Sequence, residues 1–250
     1  MTAQRLTGAP RATTSWLLVY GSLIILAEAI LVLASPAVGI LLQASLLLVI
    51  VSHNALARPP RDPVLPVLAL LPLIRLLSVV MPIAGTDPIS VYVLVGAPAL
   101  LGAILVARAI GASRTDLGLA LPTPPVATAL TVTLGLPLGF VARQVVGLSP
   151  IAASGVHPLL LAAIGVPFVV FLEEFVFRGL LRRVATTHSP LVGLVVPSVL
   201  YAAMYFGSGS ATVVLFMGLT GAIFGLLAGR TGSLWGVMGA HLLLRILVQL

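Results

Sequence analysis

Glu173 and Glu174 are adjacent carboxylates inside the apolar stretch VPFVVFLEEFVFRGLLRR, residues 166–183. A charge near the centre of a bilayer costs about 2.5–3.5 kcal/mol on insertion scales, so ionisable residues there mark either a function or a buried pairing. On a helix the two side chains point about 100° apart, so one can face a cavity while the other takes a structural partner. Arg178 follows Glu174 at i+4, the spacing at which opposite charges meet on one helix face. That spacing predicts an internal Glu174–Arg178 pair and leaves Glu173 for proton transfer as a general acid or base. A purely structural charge cluster is the competing reading of the same residues.

The last apolar stretch, LWGVMGAHLLLRIL, carries His241 and Arg245 at i and i+4, hence on one face. Counted at 1.5 Å per residue, His241 lies about 12 Å from the start of its span and Glu173 about 13 Å from Arg182, so the two share a level. Tyr201 and Tyr205 share a face of SPLVGLVVPSVLYAAMYFGSGS, a pattern that also suits interfacial anchors. By the same count Tyr205 is about 20 Å from its end of the span, deeper than the other two. Glu28 and Arg75 are lone charges in apolar surroundings, and their cost predicts that they pair with each other across the bundle. His53, Asn54, His157 and His188 fall near span ends and read as interfacial groups, and Asp116 reads as a solvated loop charge.

These residues must be held by membrane helices. The 250 residues are 60% hydrophobic and 8% charged, where a soluble domain has about 25% charged residues. The fold class expected is all-α, a polytopic transmembrane helical bundle of about 8–9 spans. Apolar segments of 17–25 residues fall near 16–34, 37–57, 63–83, 89–110, 126–147, 157–181, 190–206, 211–229 and 233–250. Thirteen arginines and no lysine give a net charge of +7. They collect in alternate loops, which predicts a cytoplasmic N-terminus and an external C-terminus. No dense basic patch with interleaved aromatics points to nucleic acid. The absence of cysteine excludes disulfides and thiolate metal sites. An uncleaved first helix is expected after a polar, basic start. Arginine without lysine in a chain rich in Ala, Leu, Val and Pro suggests a GC-rich bacterial genome, hence a bacterial cytoplasmic membrane. The polar, Gly/Pro-dense loop 111–125 divides a four-span region, 1–110, from a region 126–250 that holds the chemistry.

Taken together, the C-terminal segments resemble the CPBP family of CAAX-protease and bacteriocin-processing intramembrane proteases, also called the type II CAAX prenyl protease or Abi family. Its first motif, EExxxR, reads EEFVFR here, Glu173 to Arg178, followed by GLL. Its second, FxxxH, aligns with YAAMY, Tyr201 to Tyr205. Its third, HxxxN or HxxxD after an apolar LW segment, aligns with HLLLR, His241 to Arg245. The resemblance covers roughly residues 115 to 250. It implies peptide hydrolysis within the membrane near its cytoplasmic face. Carried over, it makes Glu173 the base, gives Glu174 and Arg178 supporting roles, and sets His241 on an oxyanion or a metal.

Two positions depart from the family pattern. Tyr205 stands where the second-motif histidine belongs, and a phenol, ionising near pH 10, is a poor stand-in for imidazole as base or zinc ligand. Arg245 stands where Asn or Asp belongs and brings a permanent cation beside His241. A divalent metal such as zinc is implied by the resemblance and disfavoured by Tyr205 and Arg245, so the sequence assigns no metal and no cofactor. One expectation is an intramembrane endopeptidase in which Glu173 activates water while His241, Tyr205 and Arg245 stabilise the oxyanion. The other is a catalytically inactive pseudoprotease, a scaffold or regulator binding a partner helix or peptide in the bilayer. A small-molecule transporter is a weaker third, because the intramembrane charges collect towards one side.

Overall fold

A computed structural model describes residues 11–58, 62–81, 88–120, 125–146 and 166–249. His157, much of the loop following Pro59, and the start of the sixth expected span lie outside the described residues. Ten helical segments follow in chain order among them. These are α1 (Arg11–Leu33), α2 (Pro36–Leu56), α3 (Val64–Val80), α4 (Pro88–Ala109), α5 (Pro125–Thr133), α6 (Gly135–Val146), α7 (166–186), α8 (Pro190–Ala203), α9 (Ala211–Thr231) and α10 (Trp235–Gln249). Six segments, counting α5 with α6 as one, are long and apolar enough to cross a bilayer, and α3 and α10 are shorter apolar helices. The all-α polytopic bundle is thus borne out, and the protein is a multi-pass membrane protein.

Local sequence sets the breaks. Ser35, Ser189 and Ser210 each cap the next helix, their hydroxyls accepting from the amides of Val38, Val192 and Val213. Pro36 and Pro190 stand at the first helical position, where a missing N–H costs nothing. Gly232 closes α9 at φ 65°, a left-handed conformation open to glycine at little cost. The expected fifth span is interrupted at Leu134, giving α5 and α6. Pro137 explains the restart: it cannot continue the hydrogen-bond ladder from α5 but is tolerated in the first turn of α6. At the break, Gly135 lies against the backbone of Ala240 in α10, with no room for a side chain.

The sixth expected span differs most. It does not stop at residue 181 but continues to Thr186, and it is not uniformly α-helical. Val166–Val170 and Phe175–Leu181 are π-helical, flanking a short α turn at Phe171–Glu174, before Arg182–Thr186 returns to α. π turns are rare and concentrate at functional sites.

Packing explains which faces are lipid-facing. Leu18, Leu33, Leu41, Leu48, Leu101 and Leu215 are exposed on the outside of the bundle, as expected where lipid replaces water around an apolar surface. Leu17, Ile24, Leu68, Leu71, Leu180 and Tyr201 belong to one buried cluster joining α1 and α3 to α7 and α8. Gly96 lets α4 approach the backbone of Phe168 in α7, where an added Cβ would meet Phe168 O at 2.7 Å. Gly135 and Gly139 do the same for α6 against α10. Close helix approach over small residues is the usual packing device within bilayers.

Candidate functional site

The α turn Phe171–Glu174 aims the two carboxylates at different helices. Glu174 is fully buried. Its Oε1 accepts from His241 Nδ1 at 2.7 Å and from Arg178 Nη1 at 3.3 Å. The expected Glu174–Arg178 pair is therefore present, with His241 as its shorter partner. Arg178 is held from behind by aromatic faces, its guanidinium carbon 4.2 Å from the Tyr201 ring centroid and 5.7 Å from that of Phe224. Such a cation–π contact is strongest where water is excluded. Gly221 in α9 makes the space, because a Cβ there would come within 3.1 Å of Tyr201 and 3.3 Å of Arg178 Nη2.

Glu173 faces the other way, toward α8 and the end of α10. Its Oε1 accepts from Arg245 Nη2 at 2.8 Å. Its Oε2 accepts from the Tyr201 hydroxyl at 2.9 Å and from the Tyr205 hydroxyl at 3.4 Å. Arg245 Nη2 also donates to the Tyr205 hydroxyl at 3.1 Å, and Arg245 Nε to His241 Nε2 at 3.3 Å. Arginine can only donate. Nε2 of His241 must therefore present its lone pair to Arg245, and the ring proton sits on Nδ1, pointing at Glu174. Two carboxylates are balanced by two guanidinium groups around a histidine in this tautomer. That neutrality lets four charges persist inside a membrane protein, where an unpaired one would be costly.

All six expected site residues, Glu173, Glu174, Arg178, Tyr205, His241 and Arg245, thus meet in one cluster. The expected depth mismatch of Tyr205 disappears. Because α7 continues to Thr186, Glu173 lies thirteen residues from that end of the helix, and its bonds to the Tyr201 and Tyr205 hydroxyls set it at their level. Tyr205 lies fifteen residues, about 22 Å, from Pro190 on the neighbouring α8 side. Tyr201 bonds Glu173 more closely than Tyr205 does and was not among the expected site residues. Its i,i+4 relation to Tyr205 was the available signal, since both hydroxyls must reach the same level within one turn.

A second polar cluster supports the first. Arg75 Nε donates to Glu28 Oε1 at 2.7 Å, as the two isolated charges predicted. Gln43 Nε2 donates to the same oxygen at 2.9 Å. Arg75 Nη2 then donates to the carbonyl of Met204 at 2.7 Å, one residue before Tyr205. Three N-terminal helices are in this way tied to the end of α8 that carries the phenol. His53, half-buried, is bonded through Nδ1 to the Tyr20 hydroxyl at 2.9 Å. Asp116 is more than a solvated charge. It accepts from the Ser113 hydroxyl and pairs with Arg183 at 2.7 Å, clasping the loop to α7. The serine bond, with Arg183 beside it, lowers Asp116 to about 2 from an ordinary 3.8.

The carboxylate face opens on space. A cavity of ≈ 260 Å³ is lined by Glu173, Tyr201, Tyr205 and Arg245, together with Ile74 and Ser78 of α3. A neighbouring cavity of ≈ 240 Å³ shares Glu173, Ile74 and Ser78 and runs on to Tyr92 of α4. Together they form a mostly apolar groove between α3, α4 and α7 with polar groups at one end, the usual make-up of a ligand site.

A catalytic zinc usually needs three protein donors at about 2.0–2.2 Å and an open position. Among the described residues no group of three or more His, Asp or Glu side chains is disposed to hold a metal ion. Glu173 Oε2 and His241 Nε2 face each other at 3.7 Å. The lone pair of Nε2 is directed at Arg245, whose cation already neutralises Glu173. A divalent ion placed between these donors would abut a guanidinium, so the residues do not fit one.

Residues 155–247 match a family model described as "Rce1-like: Type II CAAX prenyl endopeptidase Rce1-like". No curated protein and no solved structure matches the chain.

Proposed function

We propose that this chain, whose residues 155–247 match the Rce1-like family model of type II CAAX prenyl endopeptidases, keeps that membrane scaffold without its hydrolytic step. It acts as an intramembrane docking protein that receives an apolar peptide or helix in the groove between α3, α4 and α7. The observation that carries this reading is the single Arg245 side chain bonded to Glu173 Oε1 at 2.8 Å and to His241 Nε2 at 3.3 Å. A general base must have an oxygen free for the water it activates. When Glu173 takes a proton, its charge is lost and Arg245 is left as an unpaired cation in the bundle. The Arg245 and Glu173 side chains are 31% and 21% exposed, so the loss is below that of a fully buried pair, about 2–3 kcal/mol. That is roughly a 30- to 150-fold slower step at 1.4 kcal/mol per tenfold.

A second reading draws on the cavity itself. Glu173, Tyr201, Tyr205 and Arg245 line it together, and phenols and guanidinium groups are competent donors to a developing oxyanion. In that version Glu173 activates water while Tyr205 and Arg245 hold the oxyanion.

One experiment separates the two. The protein is reconstituted in liposomes with prenylated CAAX peptides, the substrate class in the family description. Wild type is compared with Glu173→Ala and with Tyr205→His combined with Arg245→Asn. Docking without hydrolysis predicts that wild type cleaves no faster than Glu173→Ala, while the double variant gains cleavage that depends on Glu173. Wild-type cleavage that vanishes in Glu173→Ala overturns the docking reading and supports the rewired hydrolase.

A further inference from the structure

The largest of these cavities, ≈ 480 Å³, lies away from the carboxylate cluster, where the ends of α7 and α9 meet the start of α8. Arg182 of α7 and Arg230 of α9 both line it, and its remaining wall is mainly apolar, with Leu191, Leu194, Leu226 and Gly225. The neighbouring arginines have carboxylate partners: Arg178 has Glu174, and Arg183 has Asp116. Among the described residues Arg182 and Arg230 have none, and no acidic residue lines the cavity.

Arg182 is not a loose surface chain. Its Nε donates to the carbonyl of Arg178 at 3.2 Å, which lays the guanidinium across α9. Gly229 is what permits this, because a Cβ there would stand 3.1 Å from Arg182 Nη1. Two cations therefore line one recess that no acidic residue lines. Like charges so placed repel, and an anion seated between them relieves the repulsion. The apolar wall below, in a helical bundle whose outer surface meets lipid, suits an acyl chain better than water.

We propose that this recess binds one anionic phospholipid, with the headgroup phosphate between Arg182 and Arg230 and an acyl chain along Leu191, Leu194 and Leu226. Basic recesses between transmembrane helices are a general means of recognising such headgroups. The site is independent of the function proposed above, since none of its residues touches Glu173.

The test uses the full-length protein, purified in detergent and stripped of lipid. The probes are phosphatidylglycerol, phosphatidylcholine with the same acyl chains, and inorganic phosphate. Binding is followed by native mass spectrometry and by competition. A basic side chain near anionic lipid is worth about fivefold in affinity. One phosphatidylglycerol should therefore bind roughly 20-fold more tightly than phosphatidylcholine. Arg182→Gln and Arg230→Gln should each lose about fivefold of that preference, and Arg108→Gln, at the exposed end of α4, should lose none. Arg230 is exposed, so Arg230→Gln decides the matter if Arg182→Gln does not fold. Gly225→Leu, whose side chain would grow toward Leu194 from a Cβ 3.2 Å away, should weaken the lipid further by filling the apolar wall. Equal binding of the two lipids overturns the proposal, as does loss of preference in Arg108→Gln to the same degree as in Arg230→Gln. Inorganic phosphate binding as tightly as phosphatidylglycerol identifies a free-anion site and overturns the lipid assignment.

Discussion

Replacing Arg245 with Met probes the contact on which the functional reading turns. Arg245 makes three polar contacts, to Glu173 at 2.8 Å, Tyr205 at 3.1 Å and His241 at 3.3 Å. Methionine keeps the apolar stem and removes all three. A fully buried pair broken in this way loses about 3–5 kcal/mol. Here the Arg245 and Glu173 side chains are 31% and 21% exposed, and hydrogen bonds to charged groups are worth about 1.5–3 kcal/mol. A loss of about 2–3 kcal/mol is expected for Arg245→Met, and about 2 kcal/mol for Glu173→Gln, which strands the guanidinium instead. The double variant strands neither charge and should be about as stable as the worse single variant, a coupling of about 2 kcal/mol. Denaturant unfolding in mixed micelles gives all four corners of the cycle. Losses that add to within about 0.5 kcal/mol would refute the reasoning, because independent sites behave that way.

Two further outcomes follow from contacts outside that pair. Arg75→Met removes the donor to the Met204 carbonyl, so backbone amides in the last turn of α8 should exchange with deuterium faster than in wild type. Unchanged exchange around residues 204–206 would show that Arg75 does not position Tyr205. Asp116 is lowered to about 2 by Ser113 and then Arg183, so on acidification the unfolded chain takes up this proton first. The stability it contributes is therefore complete above its ordinary value of 3.8, and is lost as pH falls through about 2. Asp116→Asn should be less stable than wild type at pH 6, with the difference closing toward pH 2; a constant difference would count against the clasp.

The membrane class and most of the site were legible because charges in an apolar chain are conspicuous and must find partners. Glu28 and Arg75 could be paired by elimination, and Glu174 and Arg178 by helical spacing. The choice of which carboxylate receives His241 was not legible. It depends on the rotation of α10 against α5 and α6, set by the backbone contact at Gly135. Tyr201, which aligns with the Phe of FxxxH and whose spacing also suits an interfacial anchor, has its hydroxyl nearer Glu173 than that of Tyr205. The depth estimate failed because Arg182 and Arg183 look like a helix end. Arg183 instead pairs back to Asp116, and the helix runs on beneath it. Nothing in the one-letter code marks Met204 as the acceptor for Arg75, because a carbonyl belongs to every residue type.

The π-helical segments of α7 carry a consequence for how this sequence can drift. A π turn holds one residue more than an α turn, so Phe175–Leu181 contains a residue that a plain α-helix spanning the same rise would not need. Deleting one of the apolar residues there would let the wide turn relax to an α turn, so Glu173 and Glu174 would keep nearly their facing relative to Arg182 and the loop clasp at Arg183. The same deletion from a plain α-helix would turn them by about 100°. The wide turn is thus a reserve of one residue: the count between the carboxylates and the clasp can fall by one while the charge cluster keeps its arrangement.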